Sequence, residues 1–99
     1  MYITKMIHNL DEKGNVPKQM HKEAKELASF MALVADETTK QKPSVDIQTD
    51  IRCFEKQCDG MIQSEITEDD EIHWICPKCQ NEGVISEWQG TRWDNGINN

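Results

Sequence analysis

Four cysteines constrain this chain more than any other feature. They stand as Cys53-x4-Cys58 and Cys76-x2-Cys79, with seventeen residues between the two pairs. That interval accommodates one strand out, a turn and one strand back, which returns both pairs to the same end of a hairpin. Four thiolates can then surround one ion, and tetrahedral all-sulfur coordination is the preference of structural zinc. The expectation is a single structural Zn2+ held by Cys53, Cys58, Cys76 and Cys79. With all four positions taken by sulfur, none is left for a substrate water, so the site reads as structural and the chain as no enzyme. Three other uses of the cysteines stay open on spacing alone: iron in a four-sulfur site, two disulfides, or a redox pair at Cys76 and Cys79. His73, three residues before Cys76, is a further candidate ligand, although four cysteines already complete the shell.

Compartment bears on that choice. No run approaches the ~20 apolar residues of a bilayer span. Met1-Tyr2-Ile3-Thr4-Lys5 shows no basic region followed by an apolar one, as a secretory signal would. The expectation is a cytoplasmic protein, where thiols stay reduced and metal ligation is favoured over disulfides.

The residues around the cysteines read as strands. Val45, Ile47, Thr49 and Ile51 alternate with polar residues, a period of two that leads into Cys53. Further strands are expected over about 61–66, 71–75 and 84–88, with Thr67-Glu68-Asp69-Asp70 as turn chemistry. A segment of about 45 residues buries too little apolar surface to offset chain entropy, so a metal would serve as its staple.

The first 42 residues differ in character. Ile3, Met6, Ile7 and Leu10 fall at helical spacing, with Gly14 as a stop. Met20, Ala24, Leu27, Met31 and Val34, widened by Phe30, form the apolar stripe of a second helix expected from 17 to 39. The resulting fold class is α+β: N-terminal amphipathic helices followed by a small antiparallel β zinc ribbon. The expected division is a helical arm or hairpin at 1–42, a four-cysteine zinc ribbon at 45–94 and a flexible tail at 95–99. The helical stripe would pack on the cysteine half or, through the 17–39 helix, on a second copy.

Charge narrows the partners. The 99 residues carry 18 acidic and 11 basic side chains, a net charge of −7. Residues 52–99 hold ten of the acidic and four of the basic groups, so the acidity belongs to the cysteine half. Such a balance disfavours non-specific binding to phosphate backbones. A small positive patch from Lys56, Lys78 and Arg92, or a helical face from Lys18, Lys22 and Lys25, is the route by which nucleic acid would enter. Trp74, Trp88 and Trp93 supply large rings to cover a thin sheet; the alternative use of Trp88 and Trp93, with Arg92 between them, is a partner-binding platform.

The run Ile72-His73-Trp74 into Cys76-Pro77-Lys78-Cys79, then Gly83-Val84-Ile85-Ser86 and Trp88-Gln89-Gly90-Thr91-Arg92-Trp93-Asp94, resembles the zinc-ribbon block that ends a group of small uncharacterised bacterial proteins. The resemblance covers roughly residues 50–94 and implies a ribbon fold and zinc. Many ribbons carry glycine directly after the second CxxC, where this chain has Gln80. The expected function is a protein-interaction or regulatory module with a protein partner; the alternative is a nucleic-acid-linked regulator of transcription or of a mobile element.

Overall fold

The computed structural model describes residues 2–19, 21–40, 47–55 and 57–95. Strand β1 (Tyr2–Lys5) runs into a 3₁₀ turn (Met6–Asn9), followed by helix α1 (Lys22–Lys40) and strands β2 (Ile47–Arg52), β3 (Met61–Ile66), β4 (Ile72–Ile75) and β5 (Glu82–Ser86). The strands form one five-stranded sheet in the order β1-β5-β4-β3-β2. β2 to β5 form an antiparallel meander, and β1 joins β5 in parallel, with Tyr2 opposite Gly83 and Lys5 opposite Ser86.

This corrects the expected fold class. Among the described residues there is one α-helix, and the sheet is mixed and five-stranded rather than an antiparallel ribbon preceded by a set of helices. The helix expected over Ile3–Leu10 is a strand and a 3₁₀ turn. Its apolar residues do not share a face: Met6 is fully buried, whereas Ile3 is 81% exposed and Ile7 is also exposed. Alternation decides instead, with Tyr2 and Thr4 half-buried and Ile3 and Lys5 outward. The free backbone edge of β5 offers a ladder to an extended segment, and no periodicity within the first ten residues can register a partner so far along the chain.

α1 begins at Lys22, later than expected, and its first residues, Lys22 to Glu26, are exposed. Its buried stripe is Ala28, Phe30, Met31, Ala32, Val34, Ala35, Thr38 and Thr39. The three alanines let the helix axis lie close to the sheet, and Phe30, Met31 and Val34 share one core with Met6, Ile62, Ile72, Trp74, Ile85 and Trp88. The stripe is therefore occupied within the chain. Thr38 and Thr39, which stand in the polar run that closes the helix, are buried. Thr38 Oγ1 donates to Val34 O (2.6 Å) and lies 2.6 Å from Ser64 Oγ on β3. Thr39 Oγ1 bonds Ala35 O (2.8 Å) and Trp93 O (3.1 Å). Both hydroxyls satisfy themselves on the helix backbone, which lets polar residues enter a core at little cost.

The centre of the core is aromatic. Trp74 is fully buried, with Phe30 edge-on at 5.0 Å, Tyr2 stacked at 6.0 Å and Phe54 edge-on at 6.0 Å between ring centroids. The C-terminal turn is tied down as well. Trp93 Nε1 donates to Gly14 O (3.1 Å), and Asn95 Nδ2 donates to Asp36 Oδ1 (2.8 Å). Asn95, grouped with the tail on sequence, is thus held to the helix. Met20, Val45, Lys56 and residues 96–99 lie outside the described residues.

Candidate metal centre

The β2–β3 and β4–β5 connections lie at one end of the sheet, and each carries a cysteine pair. Cys53 follows β2 directly, Cys58 precedes β3, Cys76 follows β4 directly and Cys79 precedes β5. Each connection folds back through its own backbone bonds. Cys53 N donates to Gly60 O (2.9 Å) and Cys58 N to Glu55 O (3.0 Å). Across the second loop, Cys76 N donates to Asn81 O (2.8 Å) and Gln80 N to Cys76 O (2.8 Å). Gln80 has φ +66°, the left-handed conformation that glycine ordinarily supplies after such a turn. The loop keeps the turn and bears a side chain there.

These loops bring all four Sγ atoms within 4.8 Å of one another. Cys53 Sγ lies 3.7 Å from Cys79 Sγ, and Cys58 Sγ lies 3.6 Å from Cys76 Sγ. A tetrahedron of sulfurs at the ~2.3 Å zinc–sulfur distance has edges of about 3.8 Å. The donor set and its spacing therefore fit a single tetrahedral metal ion. Cys53, Cys58 and Cys76 are buried and Cys79 is exposed.

Gly60 is part of the geometry although no sequence signal singled it out. A Cβ at that position would sit 2.5 Å from Cys76 Sγ and 2.9 Å from Lys78 Cβ. Only a bare backbone fits between the two loops. The signal was present in principle, as a glycine two residues after a knuckle cysteine.

Two of the thiols, Cys53 and Cys76, are driven in opposite directions. Burial, reinforced by the neighbouring Cys79 and Cys76 thiols, pushes Cys53 up to about 12 against one opposing backbone bond at Glu55. Burial also acts to raise Cys76, but the backbone N–H groups of Cys79 and Lys78, with the Cys58 and Cys79 thiols, outweigh it and bring Cys76 down to about 7. Metal ligation needs thiolates, so a cation that binds here displaces the protons the cluster still holds.

The remaining candidates lie elsewhere. His73 projects from β4, with Nε2 3.6 Å from Glu82 Oε1, and is no member of the cysteine cluster. Lys78 pairs with Asp59 at the cysteine end of the sheet, and that carboxyl is held below the ordinary carboxylate range by the Lys78 ammonium. Arg92 follows β5 at the opposite end of the sheet, over the Trp93 ring at 5.2 Å and bonded to Asn15. Lys78 and Arg92 therefore form no common patch. Trp88 is buried, its Nε1 donating to Asp70 O (2.9 Å), and Trp93 is half-buried against the core.

Among the described residues no helix is long and apolar enough to cross a membrane. No family model, curated protein or solved structure matches this chain, so the reading of its site rests on the four converging cysteines themselves.

Proposed function

We propose that the chain is a small zinc protein in which Cys53, Cys58, Cys76 and Cys79 hold one structural Zn2+, and that it works in the cytoplasm as a protein-interaction or regulatory module. The observation that carries this reading is the convergence of four cysteine sulfurs within 4.8 Å from two separate loops. Four sulfurs fill a tetrahedral shell and leave no position for a reacting water, which argues for a structural rather than a catalytic centre. Zinc is preferred to iron because d10 zinc accepts four-sulfur geometry without redox chemistry and suits a centre whose work is to clamp two loops. The acidic balance of the chain, net −7, favours a protein partner over a nucleic acid.

Metal analysis of the protein purified without added metal tests the proposal. One zinc per chain, lost together with native chemical shifts in both cysteine loops on chelation, is the expected result. A folded protein with no bound metal, or with iron as its resident ion, would refute it.

A further inference from the structure

A groove of about 810 Å³ opens where β1, the start of α1 and the first cysteine loop meet. Its apolar lining is Tyr2, Leu27 and Phe54, and its polar lining is Glu23, Glu26, Glu55 and Gln57. Tyr2 and Phe54 are both half-buried and stand edge to face, 5.1 Å apart at 82°. All three glutamates are exposed, and none forms an ion pair with a described cation. Every charge lining the groove among the described residues is negative.

We infer that this groove receives a lysine or arginine side chain from a basic segment of a partner protein. Two independent properties converge on that ligand. Aromatic rings attract a cation through their quadrupole, and the ring pair gives its methylene stem an apolar bed. The three carboxylates supply the complementary charge, at a rim where ion pairs set orientation and encounter rate. The groove is half open to solvent. Small-molecule sites bury most of their ligand, whereas a half-open groove suffices for a side chain that the rest of a partner holds in place. The inference deepens the interaction-module reading and rests on it in one respect. Phe54, Glu55 and Gln57 lie between Cys53 and Cys58, so metal ligation would fix that wall of the groove.

The test is a titration of the zinc-loaded full chain, followed by NMR, with the peptide acetyl-Gly-Arg-Gly-Arg-Gly-amide and its counterpart carrying citrulline for arginine. Saturable shifts of the Tyr2 and Phe54 ring resonances with the arginine peptide alone are expected, weakened by added salt. Glu26→Gln and Glu55→Gln, both at exposed positions, should each weaken binding about two- to fivefold, the scale of an exposed charge contact. Equal binding of both peptides, or no shift at about 10 mM peptide, a concentration above ordinary weak dissociation constants, would overturn the inference. So would tighter binding of free spermidine than of the peptide. Binding that emerges only in Lys56→Gln would overturn it too, by making the chain's own lysine the occupant. Zinc content and fold are measured on the same sample. A folded, zinc-loaded protein blind to the peptide refutes the groove and leaves the metal centre standing. A protein that binds the peptide equally well without zinc supports the groove and refutes the metal's part in building it.

Discussion

The indole of Trp74 lies across the backbone of Gly83, its direct partner on the next strand. A Cβ on Gly83 would sit 2.7 Å from three indole atoms, Cε2, Cζ2 and Nε1. A tryptophan side chain thus occupies the place of a missing one, and Trp74 is the hub on which Tyr2, Phe30 and Phe54 pack. Gly83→Ala should destabilise the fold by about 1–3 kcal/mol, the cost of overpacking a filled core. Urea denaturation followed by tryptophan fluorescence measures it. A midpoint unchanged from wild type would show that the indole can move aside.

The cysteine loops make a sharper test. Cys76→Ser removes a buried sulfur at the junction of both loops. Because ligand-binding free energy is folding free energy in small metal modules, this variant should lose native amide shifts over 53–60 and 76–81. Gly60→Ala should act at the same site without removing a ligand, since its Cβ would press on Cys76 Sγ. On the proposed zinc reading its metal affinity, measured by competition with a chromophoric chelator, should fall about 10- to 100-fold, the usual cost of disturbing the support of a ligand. Wild-type affinity in Gly60→Ala would show that the two loops can part without loss.

The hydroxyls of Thr38 and Ser64 meet at 2.6 Å between α1 and β3, both buried. Thr38→Val leaves Ser64 without this partner and should cost about 1–3 kcal/mol, the penalty for a buried group left unsatisfied. Removing both hydroxyls, in Thr38→Val with Ser64→Ala, should recover part of that loss. Chemical denaturation of the two single variants and the double variant gives the coupling energy, and strict additivity would contradict a direct bond.

Asp36 anchors the C-terminal turn. Burial acts to raise its carboxyl, but the hydrogen bond from Asn95 and the bond and charge of Lys40 outweigh it and hold the group below its ordinary value of 3.8. A depressed folded value means stability fully present above the unfolded value and lost as pH falls through the folded one. Asp36→Asn should therefore destabilise the protein at pH 7 by about 0.5–1.5 kcal/mol, the net worth of one hydrogen bond. The difference from wild type should vanish well below pH 3.8. A difference that stays constant down to strong acid would assign the loss to packing instead.

What the sequence determined by itself was local. Cysteine spacing is a property of chain length between ligands, and it placed two loops at one end of a hairpin. Alternation through Ile47, Thr49 and Ile51 marked a strand because β2 has one wet and one dry face. The apolar stripe through Leu27, Phe30, Met31 and Val34 marked a helix for the corresponding reason. Tertiary structure decided the rest. Ile3, Met6, Ile7 and Leu10 match a helical period by coincidence; the open edge of β5 is what makes the first of them a strand, and a hydrogen-bond ladder to a distant segment leaves no periodic trace. The same holds for Gly60 and Gly83, whose necessity comes from Cys76 and Trp74 packing against them. It holds as well for Thr38 and Thr39, which are polar by composition and buried because their hydroxyls find partners on the helix backbone and across the core. Periodicity reports which face of an element is dry, and only packing reports what dries it.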